Sequence, residues 1–285
     1  MNLLKRITLA LLMAMCVISL NTACSDDDKD GDGDGGNGGG GSAANVVDPS
    51  SVFTNGMPKS INEMVITTDE DGLVIKMEDQ FEAVTFDYAP KMREALKGQA
   101  VKMSIVDKEY PKNNTEFLML LNNNGFVTQC VQRFVDGSKN EQWAFHYTTD
   151  GYLNGMVRSE GDNEVTTITY KDGNITKVSM KSDEKGEDFE TEIFYTSDIV
   201  STAIENKGNV MLHDETFGID MDEMAYAYYA GMLGKATKHL PVKMVETEDG
   251  QKYTTNFDWT LNKNNFPEKL VVKDQDYSDE YLFVW

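Results

Sequence analysis

The chain has 285 residues, 26 Lys and Arg against 48 Asp and Glu, a formal net charge of −22 and 40 % hydrophobic residues. That acidic excess, with no cluster of Lys or Arg, excludes a nucleic-acid partner, because phosphate binding needs grouped cations. The length left after a leader and tether are removed allows one large all-β domain or two small ones.

At the N-terminus, Lys5 and Arg6 precede an apolar stretch over residues 7–20 that is too short for a stable transmembrane helix and reads as a secretory signal. Ala23 before Cys24 resembles a bacterial lipobox, which implies cleavage after residue 23, acylation of Cys24 and attachment to the outer membrane. Cys16 suits this less well, since bulky Met15 precedes it. Ser25, Asp26, Asp27 and Asp28 abut the cysteine and resemble the acidic export tag of Bacteroidetes lipoproteins displayed on the cell surface. Residues 24–45 are dominated by Gly and Asp and cannot bury enough apolar surface to fold, so they form a tether. An EF-hand beginning at Asp28 is excluded by Gly39 at the twelfth position, where the loop needs a bidentate Glu. With Cys16 removed and Cys24 lipidated, Cys130 has no disulfide partner and reads as a small core hydrophobe.

Residues 46–285 form the folded body. Asn55, Asp71, Asn124, Asp136, Asp150, Asn154, Asp172 and Asp249 each precede a Gly, mostly between runs rich in Val, Ile, Thr, Tyr and Phe. Such pairs favour tight hairpin turns and predict an antiparallel meander. LNNNG at 121–125, YTTDG at 147–151 and YKDG at 170–173 recur one hairpin apart, with degenerate copies starting at Tyr195 and Trp259. After each turn, apolar residues stand three apart: Val127 and Cys130, Leu153 and Met156, Ile175 and Val178. A plain strand sends such residues to opposite faces, so a bulge after each turn is expected to reset the parity and curl the sheet.

Residues 221–238 break the pattern. Acids begin the segment, Lys235, Lys238 and His239 close it ahead of Pro241, and Met221, Met224, Ala225, Tyr228, Met232 and Leu233 form a stripe. This predicts one helix packed over the mouth or the concave side of the curved sheet, with Tyr226 and Tyr229 turned away from the stripe and exposed. The final strand, YLFVW at 281–285, ends on an aromatic as membrane-barrel chains do. Polar strands such as TTITY at 166–170 argue against lipid on every outward face.

The Tyr-x-x-Asp-Gly hairpins, the GMLGKATKHLP run at 231–241 and the closing aromatic strand together resemble a Bacteroidetes family of secreted or surface lipoproteins of unknown function, DUF family 4595. The hairpin motif alone is shared with YD repeats. The resemblance implies a porin-like β fold and a surface location, and no catalytic residue. The expected fold is therefore mainly β: one large, strongly curved antiparallel meander, half-barrel or barrel-like, with a single capping helix.

Chemistry-bearing residues are sparse. His146 alternates with Phe145 and Tyr147 and reads as solvated, His239 as a cation at a helix C-terminus, and His213 as the most site-like of the three. There is no His-Glu-x-x-His, Gly-x-Ser-x-Gly or phosphate loop, so neither a catalytic residue, a metal nor a cofactor is expected. Tyr226, Tyr229, Trp143 and Trp259 are candidate ligand-binding aromatics. The reading is a lipid-anchored surface protein that binds a glycan, a peptide or a neighbouring protein without catalysis. The alternatives are a hydrolase with an unrecognised carboxylate and histidine site, and an integral outer-membrane barrel.

Overall fold

The computed structural model describes residues 47–89, 100–160, 163–184, 188–248, 250–274 and 278–285. The signal segment, Cys24, the Ser25, Asp26, Asp27 and Asp28 tag and the tether lie outside the described residues. By its contacts the chain divides into residues 1–42 and a unit of residues 43–285 that contains every element below.

After a short 3-10 turn at Pro49–Ser51, six strands run up and down: β1 (Ser60–Ile61), β2 (Met64–Thr68), β3 (Val74–Glu78), β4 (Glu82–Asp87), β5 (Ala100–Asp107) and β6 (Thr115–Leu121). Six more continue the meander: β7 (Val127–Phe134), β8 (Glu141–Tyr147), β9 (Leu153–Arg158), β10 (Glu164–Lys171), β11 (Asn174–Lys181) and β12 (Phe189–Phe194). The chain then leaves the sheet through β13 (Ile204–Glu205), α1 (His213–Phe217), a 3-10 turn at Asp222–Met224, α2 (Ala225–Tyr229) and β14 (His239–Leu240). It returns as β15 (Lys243–Glu248), β16 (Gln251–Leu261), β17 (Pro267–Lys273) and β18 (Ser278–Val284). Sixteen strands close into an antiparallel barrel, and β13 and β14 form a separate pair.

The expected bulges are present, one residue after the turn of each repeat hairpin. Leu121 faces Val127 while Leu120 faces Gln129, which leaves Thr128 without an opposite residue; Asn154 and Thr176 are extra in the same way. The bulge restores Cys130, Met156 and Val178 to the inward face, where each is at most 3 % exposed. Two hairpins not among the three clear copies do the same, β2–β3 and β16–β17. Asn154-Gly155 is not a turn: it lies within β9, with Gly155 opposite His146.

The repeated aromatic has a purpose that spacing alone does not reveal. Tyr147 Oη donates to the Val127 carbonyl (2.8 Å), Tyr195 Oη to that of Ile175 (2.9 Å), Tyr88 Oη to that of Val74 (2.8 Å) and Trp285 Nε1 to that of Pro267 (2.5 Å). In every case the acceptor stands two residues after the left-handed residue of a bulged turn, Gly125, Gly173, Gly72 or Asn265. An aromatic thus satisfies a carbonyl on the neighbouring hairpin, and we call this end the bulged rim.

The single helix expected over 221–238 is not formed. Gly231 and Gly234 have φ of +80° and +84°, left-handed values that end α2 and turn the chain. From there the backbone straps across the bulged rim. The Met232 carbonyl accepts from Val127 N, and Lys235 N and Lys238 N donate to the carbonyls of Gly151 and Gly173, each at 2.9 Å. Gly234 packs so closely that a Cβ there would lie 2.8 Å from the Gly151 oxygen. The 231–241 run is distinctive because it must fit these turns.

The segment between β12 and β15 fills the barrel. Met221, Met224, Ala227, Tyr228 and Met232 are at most 1 % exposed and pack in the same cluster as inward strand residues Met77, Phe117 and Trp143. This interior is mainly apolar. The exterior carries cross-strand ion pairs: Lys102–Glu116 (3.1 Å), Lys177–Glu190 (2.6 Å), Lys181–Asp188 (2.6 Å), Lys273–Asp258 (2.7 Å) and Lys269–Glu280. Each stabilises by only about 0–1 kcal/mol in water, but a lysine at a bilayer midplane costs about 2–4 kcal/mol. Among the described residues, no helix is long and apolar enough to cross a membrane.

Candidate functional site

At the rim opposite the bulges the interior filling stops short and leaves a cavity of about 660 Å³. Ile61, Asn62, Glu63 and Met64 at the β1–β2 corner, Asp79 and Phe81 at the β3–β4 turn, and Tyr281 of β18 form the barrel side of its wall. The filling segment supplies Met211 to Glu215, Asp220 to Glu223, Tyr226 and Tyr229.

One edge is organised by Arg158, which is 4 % exposed. Its guanidinium contacts Glu141 (3.2 Å), Asp220 (3.0 Å), Asp222 and Glu160, and lies 4.6 Å from the Trp143 ring centroid. Asp220 and Asp222 belong to the filling segment and Glu141 and Glu160 to the barrel, so Arg158 ties one to the other. Four acids on one cation leave this edge negative.

Neighbouring groups feel that field. Burial, then the charges of Glu215, Asp220 and Asp222, push the Asp214 carboxyl up to about 6. Burial and Asp222 raise Asp220 against the opposing pull of Arg158, and burial raises Glu223. Burial also raises Glu82 against the opposing influence of the nearby Tyr226 hydroxyl, and Glu82 Oε1 has no partner. His213 is 3 % exposed, burial pushes it down to about 4, and its Nδ1 has no partner. It is therefore a neutral imidazole at pH 7.

Of the four candidate aromatics, the structure brings Tyr226 and Tyr229 together in this cavity. They are not the exposed pair that a regular helix places on its outer face. Tyr226 is half-buried, and Tyr229 is 6 % exposed with its hydroxyl donating to the Met211 carbonyl (2.7 Å), because α2 is packed into the core cluster rather than laid over the sheet. Trp143 is a core residue, 1 % exposed, whose Nε1 donates to Gln132 Oε1 (3.1 Å). Trp259 is half-buried, and its Nε1 donates to the Pro241 carbonyl (2.7 Å). His146 is exposed on the outer face of β8, as its alternation requires. His239 is on β14 rather than at a helix end, with Nδ1 3.0 Å from Asn174 Nδ2. Cys130 is fully buried with its thiol pushed far up by desolvation, which fits a core hydrophobe.

Arg158 and the acids around the cavity are functional candidates that sequence reasoning missed. Arg158 carried a signal: once the bulge after Gly151 fixes Met156 as inward, Arg158 shares its parity. No group of three or more His, Cys, Asp or Glu is placed to hold a metal ion among the described residues.

A domain of unknown function with a porin-like fold, DUF4595, matches residues 60–269. The chain belongs to the DUF4595 family. The crystal structure of a porin-like protein from Bacteroides uniformis ATCC 8492 is similar, with a TM-score of 0.58 and 18 % identity over 78 % of this chain and 88 % of that one. A porin-like protein from Bacteroides vulgatus ATCC 8482 gives 0.57 and 13 %, over 81 % of this chain and 99 % of that one. At these identities the likeness to solved structures concerns the fold. No curated protein matches this DUF4595 chain.

Proposed function

We propose that this DUF4595 protein is a non-enzymatic binding module. It is held to the outer membrane by a lipid on Cys24, is displayed on the cell surface and takes a glycan, a peptide or a neighbouring protein at the cavity. The observation that carries this reading is the cavity itself, walled by Tyr226, Tyr229, Tyr281 and Phe81 at one mouth of an otherwise filled barrel. Aromatic faces at a recess supply apolar contact at low entropy cost. The charged exterior supports a barrel surrounded by water rather than lipid, and the acidic residues after Cys24 support display outward.

Residues 43–285, which hold every described strand and both core clusters, are to be screened on glycan and mucin-peptide arrays. Tyr226→Ala serves as the site control and Tyr229→Phe as a mild variant that keeps the ring. Specific binding lost in Tyr226→Ala is expected; a monodisperse protein that binds nothing refutes the module. The anchor is tested separately: Cys24→Ala is expected to release the full chain from the membrane fraction, whereas retention there, or a barrel stable only in detergent, overturns the lipid-anchored reading.

A further inference from the structure

The charge of the cavity narrows what it can hold. Seven of its lining side chains are carboxylates, Glu63, Asp79, Asp214, Glu215, Asp220, Asp222 and Glu223, and none is Lys or Arg. Asp220 and Asp222 share Arg158. Asp79 caps its own turn by accepting from the backbone of Phe81 and Glu82. Glu63, Asp214, Glu215 and Glu223 form no ion pair among the described residues; Glu63 accepts only from Gln80 and Glu215 only from Tyr281. A second feature is independent of these acids. His213 lines the same cavity while 3 % exposed, and its Nδ1 has no hydrogen-bond partner. An unpaired polar nitrogen kept almost wholly from water leaves one hydrogen bond unmade at the cavity wall. Apolar residues complete the wall: Met64, Met77, Met211 and Met221 beside the rings of Phe81 and Tyr226.

We propose that the cavity binds an alkylammonium group, its charged head set among the unpaired carboxylates and His213 and its apolar stem against the methionines and aromatic rings. This rests on the cavity being the binding site. A divalent metal fits poorly, because no three ligands converge among the described residues. A neutral sugar leaves the mutual repulsion of the acids unrelieved, whereas a cation removes it, and ammonium over a tyrosine face gains cation–π attraction as well. The same chemistry is offered by a lysine side chain of a peptide or by a free diamine.

Calorimetric titration of residues 43–285 distinguishes the sources. The probes are 1,5-diaminopentane, a lysine-containing peptide, the same peptide acetylated on its lysine, and a neutral hexose. The expected result is binding by the amine probes that weakens as NaCl rises, with acetylation abolishing it. In the Asp214→Asn/Glu223→Gln variant the affinity should fall about tenfold, with the urea midpoint unchanged or raised. Diamine as tight as peptide assigns a free amine, and peptide alone assigns a lysine of a partner. Acetylated peptide or hexose binding as tightly as the amines, with loss in Tyr226→Ala, overturns the cation assignment and leaves the site standing. No binding by any probe overturns both.

Discussion

Replacing Arg158 by methionine keeps the stem that packs on Trp143 and removes the charge shared by Glu141, Glu160, Asp220 and Asp222. Removing one partner of a fully buried pair costs about 3–5 kcal/mol, because the other charge is left uncompensated. Here the arginine side chain is 5 % exposed, but Glu160, Asp220 and Asp222 are 48 %, 52 % and 40 % exposed and can rehydrate. Only Glu141, at 18 %, is held from water. The expected destabilisation is therefore about 2–3 kcal/mol. With a urea slope near 3 kcal/mol/M for a domain of this size, the midpoint should fall by about 1 M. Arg158→Lys should lose less, since one ammonium can still meet one or two of the acids. The pH dependence checks the cause. Unpaired carboxylates have raised folded pKa values, so their cost is present above those values and is relieved as pH falls through them. The gap between Arg158→Met and the parent protein should thus narrow towards pH 4. An equal or higher urea midpoint for Arg158→Met at pH 7 would refute the view that this cation fastens the filling to the barrel.

His213 is neutral when folded, with its pKa lowered from 6.5 to about 4, so its contribution is complete above pH 6.5 and is lost as pH falls through about 4. His213→Phe should remove up to about 3 kcal/mol of acid sensitivity in that window, read from denaturation at pH 7 and pH 4. Asp214 works in the opposite sense: raised from 3.8 to about 6, its cost grows as pH rises from about 4 and is complete above about 6, and Asp214→Asn should flatten the loss of stability between pH 4 and pH 6 seen by the same assay. Gly234→Ala forces a Cβ to 2.8 Å from the Gly151 oxygen in a left-handed backbone and should lower stability by at least about 2 kcal/mol; a thermal midpoint equal to that of the parent would rule out the tight strap. Tyr195→Phe leaves the Ile175 carbonyl without its 2.9 Å donor and should cost about 1–3 kcal/mol by urea denaturation.

Much of the barrel was legible because its signals are local. A left-handed turn residue followed by apolar residues three apart can hardly be anything but a bulged hairpin, and Val127 with Cys130 and Ile175 with Val178 behave as that rule requires. The segment after Asp220 was misread because acids first and lysines last suit a helix, while the same glycines that permit close packing, Gly231 and Gly234, adopt left-handed φ and stop it. Once the helix is wrong, its phase is wrong, and Tyr229 moves from the surface to the interior. The cavity has no local signature. Glu63, Asp214 and Tyr281 meet only because strands from the two ends of the fold are neighbours and a long connection is folded inward between β12 and β15.

The ring of strands is fastened by its shortest member. β1 contributes two residues, pairing Ser60 and Ile61 with Val284 and Phe283 on one side and with Val65 and Met64 on the other, whereas β5 to β8 run seven or eight residues each. Backbone bonds from Lys59 to Val284 and from Asn62 to Leu282 extend this seam only slightly. Local opening follows the number of buried contacts a segment must release, so breathing of the cylinder is concentrated at this clasp. Ile61 and Asn62 belong to the clasp and also to the wall of the acidic cavity. Widening of the mouth at Ile61 and Asn62 loosens the seam, so a ligand bound as proposed would also hold the barrel shut.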